Sequence, residues 1–275
     1  MASTKTERVE QKAIPKKPST VSISFTDVHF PYQNDTALEV VKKVIQTVKP
    51  DITTCLGDLL DCSQFSAHDP SFGIAETAFD QDIDQAKDLL DFVQKHTRQR
   101  TIVLLGNHEY RIERWAAKHK EGRAIYNMVA PHIQLGKTST GDMRKKFTLV
   151  PYGSANGKYP HYKLNNRVVQ IHGWSYAQGV TREHLRMSQG KSVLLGHCHR
   201  VQSQIIQNVW EDGDNIQCHS IGCLCKLVPL YGCGSPVDWV NAFCLGFHGR
   251  NSDSFYTIPI RKNKCILPDG KEIKI

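Results

Sequence analysis

The sequence predicts an α/β fold with two sheet layers and a mainly parallel first sheet. Two observations lead there. Strand-like and helix-like periodicities alternate over the first 120 residues, the pattern of βαβ units. The second half is dominated by short apolar runs separated by turn residues.

In chain order, Val21–Thr26 alternates apolar and small polar residues and reads as a strand. Over 37–48, Leu38, Val41, Ile45 and Val48 share one helical face, and Pro50 ends that helix. Ile52–Leu56 is a second strand. Residues 62–79 carry turn formers and little period, so a long loop is expected, and long loops in compact domains are often functional. Over 82–93, Ile83, Ala86, Leu89, Leu90 and Val93 form an apolar helical stripe. Thr101–Leu105 is a continuous apolar strand, followed by a helix from about His108 to His119. Further strands are expected at 147–151, 168–172, 192–196, 201–209, 216–221, 242–247 and 255–260, with a helix near 181–188. Pro268-Asp269-Gly270 predicts a closing hairpin. Residues 1–18, with Pro15 and Pro18, read as a flexible basic arm. Residues 19–275 read as one domain with an irregular insertion at about 210–240.

Composition sets bounds. The chain has 275 residues, 40% hydrophobic and 23% charged, which suits a folded globular protein rather than a disordered one. No apolar run approaches the roughly 20 residues that span a bilayer, so no membrane partner is expected. No apolar block follows the basic N-terminus, so a secretory signal is not expected. The nine cysteines are odd in number and lack C-x-x-C pairing at 218, 223, 225 and 233. They read as buried small apolar residues in a reducing compartment, with a metal site at the 218–233 cysteines as the alternative. The net charge of +8 favours polyanionic partners.

Metal-binding residue types recur where apolar strands end. Asp27-Val28-His29 follows the first strand and Gly57-Asp58-Leu59-Leu60-Asp61 the second. Gly106-Asn107-His108-Glu109 follows the third, His172-Gly173 the strand at 168–171, and Gly196-His197-Cys198-His199 the strand at 193–195. In open α/β sheets, sites form beyond the carboxyl ends of strands. Imidazole and carboxylate together suit Mn, Fe or Zn. Each motif alone is commonplace; all five, each at a strand end, point to a metal site, and the glycine preceding a ligand lets the backbone turn sharply off its strand.

These motifs resemble the calcineurin-like metallophosphoesterase superfamily, over Asp27 to His199. The resemblance implies a four-layer α/β/β/α sandwich of two mixed β-sheets, with the metal site at the C-terminal ends of the strands. It implies two divalent ions, Mn first, with Fe, Zn, Ni or Mg as alternatives. Asp27, His29 and His199 would hold one, Asn107, His172 and His197 the other, and Asp58 would bridge them. His108 would face the substrate, with Asp61 orienting it. The implied reaction is hydrolysis of a phosphate ester by a water activated between the ions.

Protein phosphatases of the superfamily carry Arg-Gly directly after Gly-Asp-x-x-Asp; here Cys62 and Ser63 stand there. That departure favours the branch of nucleases and other phosphodiesterases, with DNA, RNA or a nucleotide as substrate. The Gly-Asn-His-Glu motif is shared with the phosphatases and keeps a phosphomonoesterase as the alternative. A non-catalytic, partner-binding scaffold, as in the retromer subunit of this fold, is the third reading. The motifs are most similar to those of stand-alone bacterial or bacteriophage members, a resemblance that implies the cytoplasm of a bacterium or of a phage-infected host cell as the expected location. Arg111, Arg114 and Lys118 share one helical stripe, which reads as a solvated face opposite Ile112, Trp115 and Ala116, with contact to a nucleic-acid backbone beside the phosphate site as the alternative. Trp174, Tyr176, Trp210, Tyr231 and Trp239 are candidates for base stacking or for packing.

Overall fold

A computed structural model describes residues 19–66, 78–153, 159–207, 215–228 and 237–275. The basic arm, most of the 62–79 loop, Trp210, Tyr231 and Cys233 lie outside the described residues.

The first strand, β1 (Thr20–Phe25), leads into α1 (Asp35–Val48). Asn34 caps that helix, its side chain accepting from Ala37 N at 3.1 Å. Lys49, in the left-handed conformation at φ 49°, ends it ahead of Pro50. There follow β2 (Ile52–Cys55), a short 3-10 turn (Ser63–Phe65), α2 (Phe79–His96) and β3 (Arg100–Leu104). α2 carries Asp80 and Asp82 in its first turn and Lys95 and His96 in its last, both favourable to the helix dipole. Three helices come next: α3 (Tyr110–Lys118), α4 (Lys120–Val129) and α5 (Pro131–Gln134). Then come β4 (Phe147–Val150), β5 (Tyr162–Lys163), β6 (Val168–Ile171), α6 (Val180–Met187) and β7 (Ser192–Leu195). The chain closes with β8 (Val201–Gln207), β9 (Asn215–Ile221), β10 (Ala242–His248), β11 (Asp253–Pro259) and the hairpin β12 (Lys264–Ile266) with β13 (Glu272–Lys274). α4, α5 and the short β5 are additions to the elements expected from sequence. The strand expected at 216–221 is β9, and it lies inside the 210–240 segment.

Two mixed sheets result. The first runs β11-β10-β1-β2-β3-β4, with β1 to β4 parallel and β10 and β11 antiparallel at one side. The second runs β5-β6-β7-β9-β8, with β6, β7 and β9 parallel between antiparallel edges.

Three apolar clusters define four layers. The largest packs α1 and α2 against the first sheet, through residues such as Val41, Leu90, Val103 and Leu245. A second, between the sheets, joins Leu56, Ile102 and Leu104 of the first to Val168 and Leu194 of the second. The third packs Val180 and Leu185 of α6 against Val193 and Leu195. β3 and β7 are therefore buried on both faces, which is why they read as unbroken apolar runs rather than alternating ones. The α/β/β/α sandwich expected from the motif resemblance is the observed architecture.

Polar tethers also cross between the sheets. Gln170 of β6 donates to Ser24 Oγ at 2.9 Å and accepts from Thr54 Oγ1 at 3.0 Å, joining β1 and β2 to the second sheet. Nearer the N-terminal ends of the strands, Ser22 Oγ lies 2.8 Å from His248 Nε2, and His248 Nδ1 donates to Asp253 Oδ1 at 2.8 Å. Asn165 and Arg167, in the turn before β6, donate to the same carboxylate at 2.8 and 2.7 Å. Burial opposes ionisation of Asp253, but the hydrogen bonds from His248, Arg167 and Asn165 outweigh it and hold the carboxyl below its ordinary range. A depressed folded pKa contributes stability that is present above the unfolded value of about 3.9 and lost as pH falls through the folded pKa. Asp253→Asn is expected to cost about 1.5–3 kcal/mol at neutral pH. That cost should shrink as pH falls below about 4 towards the lowered folded pKa, because the unfolded carboxyl takes up its proton first. Denaturant melts of metal-free protein at pH 7 and pH 3.5 check this, and a cost independent of pH would contradict it.

Candidate metal centre

The parallel strands β1, β2 and β3 of the first sheet, and β6 and β7 of the second, end at one edge of the sandwich. The five motif loops leave from those ends and are laced together by main-chain hydrogen bonds. Asp27 N donates to Gly57 O and His29 N to Asp58 O, each at 3.0 Å, and Gly196 N donates to His172 O at 2.9 Å.

Two clusters of donor atoms form there. Asp27, His29 and His199 place one ligand atom each within 4.8 Å of one another, and Asp58, His172 and His197 do the same. In the first, His199 Nε2 lies 3.0 Å from Asp27 Oδ1 and 3.2 Å from His29 Nε2. In the second, His172 Nε2 lies 3.0 Å from Asn107 Oδ1, 3.2 Å from Asp58 Oδ2 and 3.3 Å from His197 Nδ1. Asp58 Oδ2 is also 3.9 Å from His29 Nε2, so its carboxylate stands between the two clusters. All seven side chains expected from sequence are brought together, four from loops of the first sheet and three from loops of the second.

The surroundings aim these side chains. Thr26 Oγ1 and His197 N donate to Asp27 Oδ2 at 2.6 and 2.9 Å, leaving Oδ1 directed at the cluster. His108 N donates to Asp58 Oδ1 at 2.9 Å, leaving Oδ2 inward. His172 Nδ1 donates to Leu56 O at 3.0 Å, His29 Nδ1 to Asp61 Oδ2 at 3.1 Å, and His199 Nδ1 to Cys225 Sγ at 3.7 Å. Each of these rings thus has one nitrogen held from behind and the other turned inward, the arrangement metal-ligating histidines adopt.

Backbone conformation shows the cost of this convergence. Asp27, His29, Asp58, His197 and His199 all lie in the left-handed region, at φ between 49° and 68°. Non-glycine residues there carry strain of order 1–2 kcal/mol each. Of the glycines before ligands, only Gly57 makes a turn at positive φ, 120°. Gly106 and Gly196 serve close approach instead: a Cβ would fall 2.1 Å from Asp58 Oδ1 at Gly106 and 2.0 Å from Thr26 Oγ1 at Gly196. The sharp turn expected at each motif glycine is thus corrected at these two.

Charge fits divalent ions. Burial opposes ionisation of Asp27, Asp58 and Asp61, but the imidazoles around them outweigh it and hold all three carboxyls below their ordinary range. Burial likewise opposes protonation of His172 and His199, and Asp58 and Asp27 respectively overcome it, raising both to about 9. Burial, with the charge of His172, pushes His197 down to about 4. Buried carboxylates thus hold protons on imidazoles whose inward nitrogens crowd one another. Cations in those positions would relieve the crowding and neutralise the carboxylates, so the residues present fit divalent ions.

His108 and Asp61 sit beside the clusters. His108 Nδ1 lies 3.0 Å from the Asp61 carbonyl and 3.2 Å from Asp61 Oδ2, and its Nε2 is 3.8 Å from Asp58 Oδ2. Asp61 therefore serves His29 and His108 together. Burial is the main cause that keeps His108 below its ordinary pKa.

Several residues at the site were named in the sequence without being given a place at the centre. Glu109 is buried and accepts from Leu60 N at 2.8 Å and Gly106 N at 2.7 Å, tying two motif loops together. Burial, reinforced by Asp58, raises its carboxyl to about 7. Cys223 and Cys225, read as apolar filler, form a third buried group with His199. Each described cysteine is buried and free. Arg111, read as part of a solvated stripe, instead turns to the site: Nη1 donates to the Asp61 carbonyl at 2.9 Å, and Nη2 lies 3.1 Å from His108 Nε2. Its spacing of three residues from His108 on a helix start was the available signal. Arg114 and Lys118 are exposed, as expected. Tyr176 packs on His197 with centroids 4.0 Å apart and the rings tilted by 40°, and Trp239 packs edge-on to His199 at 4.2 Å, so both wall the centre. Trp174 packs instead on His184 and Tyr159.

A two-sheet sandwich with this centre defines a class of metal-dependent phosphoesterase folds. The family model for calcineurin-like phosphoesterases matches residues 23–212, well over half of the chain, and the chain belongs to that family. The family binds divalent metals. Comparison with curated protein sequences gives no match. Among solved structures, the chain is similar to zinc-complexed wild-type Vps29 from Entamoeba histolytica, at 13% identity and TM-score 0.44, covering 92% of this chain and 96% of that one. It is similar to the nuclease MPE of Pseudomonas putida at 12% identity and TM-score 0.36, covering 86% and 87%. It is also similar to YfcE, a phosphoesterase from E. coli, at 13% identity and TM-score 0.40, covering 88% and 100%. No helix among the described residues is long and apolar enough to cross a membrane.

Proposed function

We propose that this protein is a binuclear-metal phosphodiesterase acting on nucleic acid or a nucleotide. The observation that carries the reading is the convergence of the seven motif side chains into two clusters with the Asp58 carboxylate between them. Asp27, His29 and His199 hold one ion, Asn107, His172 and His197 the other, and Asp58 serves both. Mn is the first choice for this mixed imidazole and carboxylate set. The bound ions supply charge neutralisation for the phosphoryl oxygens and activate water. His108, kept in place by Asp61, faces the substrate and serves the leaving group, a contribution of roughly 10²–10⁴-fold for a positioned acid.

Cys62 supports the diester. Where protein phosphatases carry a phosphate-gripping arginine, this chain has a buried thiol that offers the substrate no charge. The net charge of +8 suits a polyanion. A phosphomonoesterase is the second reading, favoured by the Gly-Asn-His-Glu motif and the His108–Asp61 pair.

The test is kcat/KM of the Mn-loaded protein for a nitrophenyl phosphodiester and a nitrophenyl phosphomonoester, with His197→Ala as the blank. A preference for the diester is expected. The opposite preference would replace the first reading with the second. Two bound ions with no turnover of either ester, DNA, RNA or cyclic nucleotide would leave a binding scaffold.

A further inference from the structure

Arg111 has a contact pattern that a purely structural arginine does not explain. Its side chain is 21% exposed and projects from the first turn of α3 into the space beside His108. Its two close partners are uncharged: the Asp61 main-chain carbonyl at 2.9 Å and the His108 Nε2 lone pair at 3.1 Å. The nearest carboxylate oxygen, Asp61 Oδ1, is 3.4 Å away, and that side chain already serves His29 and His108 through its other oxygen. A guanidinium carries five N–H donors in a planar fork suited to two oxygens of a phosphate. Nε makes no hydrogen bond among the described residues. The cation therefore stands at the centre with donor capacity in reserve. Among the described residues of the loop after Gly-Asp-x-x-Asp none is cationic, and Cys62 there is 1% exposed.

We propose that Arg111 is the substrate's phosphoryl-binding residue, donating to its two non-bridging oxygens. This rests on the phosphoesterase reading but not on the choice between diester and monoester, since both present two such oxygens. In the free protein the guanidinium is parked on His108 Nε2. Engaging the phosphoryl group draws it away and uncovers that nitrogen on the side facing Asp58 Oδ2, 3.8 Å distant. One helix turn thus carries both the phosphate clamp and, three residues earlier, the group it covers.

The experiment uses the full-length, metal-loaded protein and inorganic phosphate as the probe. Phosphate binding by calorimetry and its competitive inhibition constant are measured for wild type, Arg111→Gln and Arg111→Lys, with metal content and melting temperature alongside. Arg111→Gln is expected to weaken phosphate about 10- to 100-fold with both ions retained, the loss for charge-assisted hydrogen bonds. Arg111→Lys should fall between, because an ammonium keeps the charge but not the fork. Millimolar guanidinium should restore part of the turnover of Arg111→Ala. Unchanged phosphate affinity, with a lowered melting temperature or lost metal, would make Arg111 a strut for the Asp61 loop and overturn the proposal. Absence of ester turnover in wild type would sink the phosphoesterase reading alone, and calorimetry would still decide the role of Arg111.

Discussion

Removing divalent ions with a chelator is expected to lower the melting temperature by roughly 10 °C. An ion that binds only the folded chain, at a thousand times its Kd, contributes about 4 kcal/mol. For a domain of this size that is roughly 8–16 °C. The structure gives the reason the effect should be large. Four buried acidic side chains, Asp27, Asp58, Asp61 and Glu109, lie at or beside the centre, and five of the seven proposed ligands hold left-handed backbone conformations. Without bound cations that charge is met by protons on neighbouring imidazoles and, at Asp61, by Arg111, and the strain has nothing bound to justify it. Thermal melts with and without chelator, followed by re-addition of Mn²⁺, measure this directly. Coincident melts would show that the ions are not integral to the loops.

Asp58→Asn is expected to lose more activity than His108→Ala. The substitution keeps the shape and removes the charge from the one side chain within 4 Å of His29, His108 and His172. Both clusters would be weakened together, whereas truncating His108 leaves every proposed ligand in place. His108→Ala should therefore bind two ions per chain and lose roughly 10²–10⁴ in kcat/KM. Asp58→Asn should bind fewer than two and lose more than 10⁴. Elemental analysis of purified variants, together with kcat/KM, separates the cases. An Asp58→Asn protein with both ions and more activity than His108→Ala would refute the bridging role.

The strands and the site loops were legible for one physical reason. Parallel strands buried on both faces must be apolar without interruption, so runs such as Val193–Leu195 stand out, and a polar motif directly after each marks the strand end. Asp27, Asp58, Asn107, His172 and His197 were found that way. Residues whose role depends on tertiary contact were not. α4, which was not expected, runs through Gly122, a poor helix former, and only the fold shows why glycine stands there: a Cβ would meet Ala116 Cα and the Trp115 ring at 2.8 Å. Cys225 looks like apolar filler until the fold places it behind His199. Arg111 belongs by spacing to a solvated stripe, and only the approach of the Asp61 loop turns it inward.

The strand order of the first sheet bears on how the chain is made. β1 lies between β2 and β10, pairing Ser24 with Cys244, so one neighbour arrives at once and the other only after more than 200 further residues. During synthesis that side of β1 stays open until nearly the whole chain has left the ribosome. An open strand edge is a template for pairing with the wrong partner. Ser22 and Ser24, polar residues on the face β1 turns to the second sheet, make the waiting strand less adhesive than an all-aliphatic one. Completion of the sandwich is thereby tied to the arrival of the C-terminal strands, and a nascent chain stalled before residue 242 would hold every motif without a finished sheet to carry them.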